Sequence, residues 1–231
     1  MNKATIGEFK KLTLFSSGVV NSPILGNSNY GKSKKLQEVV AQSQVWPFES
    51  VIIRPAAVVG PRSRYGAAKL VEMIAGGQMQ FFVGKKKLTA SMVHVKDVVN
   101  ATIMLAEKPW NEIQKACGSP ISTFELVDDS SYSYEELLKF LVVLLKKSHN
   151  ARILPVRLST SLLRPVAKWQ EFLARVFKTR PKLPVDILDF FEAEMPMDNS
   201  AIKSLGYRFT FPDSKDAVED AVQWYLRRGW I

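Results

Sequence analysis

The chain has 231 residues, 46% of them hydrophobic, a single cysteine and a formal net charge of +10. That length holds one ordinary domain or one and a half, the lone Cys117 excludes an internal disulfide, and no apolar run reaches the ~18 residues that span a bilayer. The basic residues are scattered, and the tightest run, Lys85, Lys86 and Lys87, follows Gly84 in what reads as a solvated turn, so the charge alone does not indicate nucleic acid.

Met1 to Lys11 is polar and has no secretory apolar segment, so a soluble cytoplasmic protein is expected. Asn2 to Lys11 reads as the end of a helix, with Lys10 and Lys11 favourable at its carboxyl terminus. Leu12 to Phe15 is a strand. Asn21 to Asn29 carries the Asn, Ser, Pro and Gly of a loop. Tyr30 to Gln44 reads as a helix capped by Ser28 or Asn29, with Leu36, Val39 and Val40 as its apolar face. Ser50 to Arg54 is a β-branched strand that Pro55 should stop, and Gly60 and Pro61 close the loop after it. Ala67 to Ala75 is a helix ended by Gly76 and Gly77. Gln80 to Val83 and Leu88 to Val93 are short strands about a hairpin turn at Gly84 and Lys85. Asp97 should cap a helix through Glu107.

Ser122 to Val127 is the next strand. Ser133 to Glu136 is a capping box, S-x-x-E, before a helix from Leu137 to Lys147. Arg152 to Val156 is a strand, Ser159 to Phe177 a long helix with Pro165 in its first half, and Pro184 to Phe191 a helix with proline in its first turn. Met195 to Met197 reads as extended, Asp198 as the cap of a short helix to Leu205, and Asp213 as the cap of a terminal helix to Arg228. Strands alternate with helices up to Val127, as in a parallel α/β sheet, and helices dominate after about Ser131.

The chemistry concentrates between Leu12 and Lys34. Tyr30 and Lys34 are four apart, so on a helix they share one face. An ammonium held near a phenol favours the phenolate, which can exchange a proton with an alcohol or carbonyl oxygen. Ser17, at the end of the strand, could hydrogen-bond that same oxygen, with Ser16 as the alternative.

Ser17 with Tyr30-Gly31-Lys32-Ser33-Lys34 resembles the Ser–Tyr–Lys constellation of the short-chain dehydrogenase/reductase superfamily, in its extended, epimerase/dehydratase-like branch. Ser50 to Arg62 resembles that branch's next strand and loop, Met92 to Val99 its VHVxDV segment, and Leu205 to Tyr207 with Ala221 to Tyr225 its closing helix. The resemblance implies an α/β fold, a partial Rossmann-like parallel sheet over residues 1–130, with a mainly helical substrate-binding lobe over 131–231. It implies NAD or NADP as cofactor, Ser17, Tyr30 and Lys34 as catalytic residues, and Tyr30, Lys34, Pro55 and Val58 beside the nicotinamide nucleotide. Arg62, just past its loop, suits an anionic group and is placed on the substrate side. No G-x-G-x-x-G or G-x-x-G-x-x-G occurs, so the chain looks like the later part of such an enzyme without its first mononucleotide-binding half.

His94, alone in an apolar strand, reads as a hydrogen-bonded core residue. With only His94 and His149 and no cysteine cluster, no zinc site is expected. Cys117 reads as a small, partly buried residue. Ala90 stands where relatives acting on nucleotide-diphosphate sugars carry an arginine, which argues for a less polar alcohol or ketone. Phe140, Leu144, Trp169, Phe172, Phe177, Phe190 and Phe191 would suit such a substrate, but read first as core. The implied activity is hydride transfer between nicotinamide and a secondary alcohol or ketone, alone or within an epimerase or dehydratase cycle. The alternative is a non-catalytic binding module that needs a partner or the missing half. A bare sheet edge would then be exposed, and a homodimer is one way to cover it.

Overall fold

The computed structural model describes residues 11–43, 48–117, 122–179 and 185–231. Its main sheet has three parallel strands, β1 (Lys11–Phe15), β2 (Glu49–Pro55) and β6 (Ser122–Leu126), in the order β1-β2-β6. Phe15 pairs with Ile53, and Pro55 with Leu126, so the carboxyl ends of all three strands lie at one end of the sheet. Two further parallel pairs join β3 (Ala57–Val59) to β5 (Met92–His94), and β4 (Phe81–Val83) to β7 (Leu154–Leu158). The helices are α1 (Asn29–Gln42), α2 (Ala67–Ala75), α3 (Val95–Glu107), α4 (Trp110–Cys117) and α5 (Tyr134–His149), then α6 (Thr160–Val176), α7 (Val185–Phe190), α8 (Ser200–Ser204) and α9 (Ser214–Arg228). The α/β class with parallel strands is therefore as expected.

Buried residues form two clusters. One joins the main sheet to α3, α4 and α8 around Ile53, Phe124 and Leu105. The other joins β3 and α2 to α5 and α9 around Ile74, Leu145 and Val222.

Several elements follow from local chemistry. Ser133 and Glu136 make both bonds of the capping box on α5. Asp213 caps α9 through the Lys215 N–H, and Gly229 ends it in the left-handed conformation. Ser28 caps α1 by accepting the Gly31 N–H at 3.0 Å.

Other expectations are corrected. The helix placed over Asn2 to Lys11 lies outside the described residues except at Lys11, which begins β1. Pro55 does not stop the ladder, because it pairs with Leu126 as the last residue of β2. The expected hairpin about Gly84 does not form: β4 pairs with β7 and β5 with β3. There Gly84 packs against the Phe191 backbone, which also accepts the Lys85 N–H, and this contact carries the chain away from a return strand. His94, not Asp97, caps α3, since its ring accepts the Lys96 N–H at 3.2 Å. Asn199 holds the cap position of α8, and Asp198 instead accepts from Ser200. The short α4 had no expected counterpart. Met195 to Met197 is in neither a helix nor a strand.

Candidate functional site

The site grows from the carboxyl end of β1. The Ser16 N–H donates to Ile53 O at 2.8 Å, carrying the β1–β2 ladder one residue further. Ser17 then leaves the sheet. Its Oγ accepts the Val19 N–H at 3.4 Å at the start of a short 3-10 turn, which leaves the hydroxyl proton available. A second 3-10 turn and the Ser28 cap return the chain to α1.

The first turn of α1 is seated by Gly31. A Cβ there would come within 2.2 Å of Leu25 O and 2.6 Å of Gly26 Cα, so no larger residue fits without moving backbone. Tyr30 is thereby held at the helix start, 54% exposed. Lys34 lies one turn on, its Nζ 5.9 Å from the Tyr30 ring centroid. That ammonium donates to Phe15 O at 2.9 Å and to Gln37 Oε1 at 3.1 Å. Lys34 is thus anchored on the last residue of β1, two residues before Ser17. Tyr30 and Lys34 therefore stand at the carboxyl end of β1, the end of a parallel sheet where α/β proteins receive ligands, and Ser17 follows that strand end in the chain.

Pro55 ends β2 at the same end of the sheet, with Val58 half-buried in β3. Arg62 is not tied to this group. It sits exposed in a turn with φ of +67°. The loop around it is held to α9, where Tyr225 donates to Gly60 O at 3.0 Å and Arg64 stacks on Trp230.

Sequence reasoning missed the polar assembly beneath the site. Arg54 forks onto Glu38 with bonds of 2.9 and 2.7 Å, and reaches Asn21 at 3.1 Å and Glu125 at 3.4 Å. Glu38 is buried. Burial alone would raise its carboxyl and is the largest single effect. The Arg54 hydrogen bond, the nearby Ser16 hydroxyl and the Arg54 charge together outweigh it, so Glu38 lies below the usual carboxylate range. The Ser16 hydroxyl stands near Glu38 but falls short of hydrogen-bond geometry with any described partner. Glu125 in turn accepts from Asn21 at 2.6 Å and from the Asp198 N–H at 2.8 Å, and Asn21 donates to Pro196 O at 3.0 Å. The bridge joins α1, β2 and β6 to the Met195 to Asp198 segment. Met197 and Met195 also close on Gly18, where a Cβ would meet their sulfurs at 2.4 and 3.2 Å. The signal in the sequence was Arg54, a charge inside a β-branched run, with Glu38 one turn after Lys34.

The remaining candidates have structural work. His94 is buried, stacks on Phe211 at 3.8 Å between centroids and meets Asp220 at 3.1 Å through Nε2. Since Nδ1 accepts from Lys96, Nε2 carries the proton toward Asp220. Burial lowers its pKa, with Asp220 opposing, so the ring is neutral. Asp97 is buried and accepts from the Tyr207 hydroxyl at 2.9 Å and from the Thr210 and Phe211 N–H groups at 2.6 and 3.0 Å. Burial pushes the Cys117 thiol up to about 11, which makes it a poor nucleophile. The aromatic residues read as core divide: Phe191 is buried, whereas Trp169, Phe172 and Phe177 are exposed on or just past α6.

No family model matches the sequence, and no curated protein does. Solved structures match closely in fold. The crystal structure of gox2253 aligns over 95% of this chain and 67% of its own length, with a TM-score of 0.62 and 22% identity. UDP-glucose 4-epimerase from Thermotoga maritima, solved with UDP-glucose, aligns over 95% and 64%, with a TM-score of 0.62 and 17% identity. A human epimerase family protein solved with NADPH aligns over 93% and 65%, with a TM-score of 0.64 and 12% identity.

The chain shares the fold of these epimerase structures. The chain spans about two thirds of the length of these solved relatives. Within that fold, an ammonium and a phenol on one helix face stand at the carboxyl ends of adjacent parallel strands. The sequence carries no glycine-rich turn for the pyrophosphate.

Proposed function

We propose that this chain carries the catalytic half of an NAD(P)-dependent oxidoreductase acting on a secondary alcohol or ketone. The observation that carries the reading is Lys34, fixed on Phe15 O beside Ser17 and on the same helix face as Tyr30. The solved relatives that bind NAD or NADPH support the cofactor class. When bound, the dinucleotide supplies hydride exchange at its nicotinamide ring. The Ser17 hydroxyl donates to the substrate oxygen and orients it. Tyr30 moves the proton to or from that oxygen, and the remaining N–H of Lys34 faces the ribose. Pro55 and Val58 wall the nicotinamide, and Arg62 meets an anionic part of the substrate. Residues 131–231 provide the substrate side, through the Met195 to Asp198 segment. Ala90, buried where an arginine would grip a diphosphate, favours a less polar substrate than the UDP-sugars of several relatives. Epimerisation or dehydration can follow the same oxidation.

A second reading is favoured by a separate observation. β1 is an edge strand among the described residues, with Leu12 and Phe15 half-exposed, and Leu36, Val39 and Val40 of α1 lie exposed rather than packed. A module of this shape would act only once a glycine-rich half covers that edge. Fluorescence titration of the full chain with NADH and NADPH separates the two. Saturable binding that weakens at least tenfold in Lys34→Ala supports the oxidoreductase. In Tyr30→Phe the folded state should be preserved and turnover lost. No binding by a folded chain moves the reading to the module.

A further inference from the structure

Helix α6 is amphipathic in the reverse sense. Toward the protein it turns Thr160, Ala167 and Ala174, which are buried seven residues apart. Its inner side is held by polar bonds: Thr160 to Glu192 at 2.5 Å, Arg164 to Asp189 at 2.6 Å, and the Val185 N–H to Glu171 at 2.9 Å. Toward solvent, the helix and the residue after it turn Leu162, Val166, Trp169, Phe172, Val176 and Phe177, each between 49 and 70% exposed. Trp169 and Phe172 stack on each other at 5.9 Å between ring centroids. At 1.5 Å per residue, this apolar stripe is roughly 23 Å long. Lys168, Arg175 and Lys178 flank it, all exposed and without an ion-pair partner among the described residues.

We propose that α6 is an in-plane membrane-surface helix that docks the chain on an anionic lipid bilayer. A helix with Trp, Phe and Leu on one side and unpaired Lys and Arg beside them has the composition of a helix that seats at the headgroup–acyl boundary. The charge selects among occupants. The chain carries +10 overall, and the cations at the stripe are uncompensated, so an anionic surface complements them. A second copy meeting this face through a two-fold axis would bring the same cations to it. The contact lies in the interface plane, because no described helix is long and apolar enough to cross a membrane.

The test is flotation of the full chain with vesicles of phosphatidylcholine, with and without phosphatidylglycerol, at low and high salt. The chain should float with the phosphatidylglycerol vesicles and be released by salt. Trp169→Ser/Phe172→Ser should lower partitioning by at least about tenfold, as expected for losing two buried aromatic side chains. Lys168→Glu/Arg175→Glu, which leaves the packed side untouched, should remove the preference for anionic lipid. Absence of flotation with either vesicle, or flotation that both variants retain, overturns the proposal. A concentration-dependent dimer that Trp169→Ser/Phe172→Ser dissociates overturns it too, and assigns the face to a second copy.

Discussion

Two groups of polar side chains in this molecule are alike in type and opposite in environment. Ser17, Tyr30 and Lys34 stand at an open strand end, half-buried or exposed, with the Ser17 hydroxyl proton and one of the three Lys34 N–H directions left over. His94, Asp97 and Tyr207 are buried, and their capacity is used up within the fold. The contrast teaches what to look for in a site. A residue that can bind or react must keep bonding capacity in reach of a ligand, and a rare polar residue in an apolar run has usually been recruited to tie backbone together. His94 and Asp97 do the latter: one caps α3, the other receives two backbone N–H groups ahead of α9.

The largest effect is expected where that buried group is broken. Asp97→Ala strands the Tyr207 hydroxyl and the N–H groups of Thr210 and Phe211 in the interior. It should cost about 4 kcal/mol, read as a lower urea midpoint, with cofactor affinity per folded molecule unchanged. A loss of NADH affinity in the remaining folded fraction, without loss of stability, would break the comparison.

Next comes the bridge under the site. Arg54→Met leaves Glu38 buried without its cation, and removing one partner of a buried pair costs about 3 kcal/mol. Because Glu38 is on α1, one turn beyond Lys34, the variant should also loosen the seating of Tyr30 and Lys34. Glu38→Met/Arg54→Met, which removes both charges, should recover much of the stability. If the double variant is as unstable as the single one, the charge pair is not what fixes α1.

Much of this was legible in the sequence, and the rest was hidden for definite reasons. The cap signals at Ser28, Ser133 and Asp213 are local and held. The pairing of β4 with β7 joins segments more than 70 residues apart, and nothing in the sequence around Gly84 specifies it. The apolar positions of α1 and α6 were read as core because periodicity shows that a helix has an apolar side, not that the fold turns that side inward. Gly31 and Glu38 face inward on α1, and Ala167 and Ala174 on α6. Ser17, Tyr30 and Lys34 could be singled out beforehand because their order and spacing form a motif; Arg54 and Glu38 form a pair only once the sheet and α1 are packed.

The smallest effect sharpens the comparison between two buried acids. Asp97 receives backbone N–H groups, whereas Asp128 receives mainly hydroxyls, from Ser130 at 2.8 Å and from Ser214, and no cation among the described residues. Burial pushes the Asp128 carboxyl from 3.8 up to about 6, with Asp213 adding to it and the Ser214 and Ser130 bonds opposing. The folded chain therefore holds a proton that the unfolded chain releases at lower pH. This group's contribution to stability is full below 3.8 and is lost as pH rises through about 6. Between pH ~4.5 and ~7 the loss is about 2 kcal/mol. Asp128→Asn, which can accept the Ser130 N–H and donate to a serine oxygen, removes that slope. Relative to the parent chain it should gain about 2 kcal/mol between those two pH values, measured by urea unfolding at each. An unchanged pH profile would mean that Asp128 is ionised in the fold, held by the serine hydroxyls as firmly as Asp97 is held by backbone.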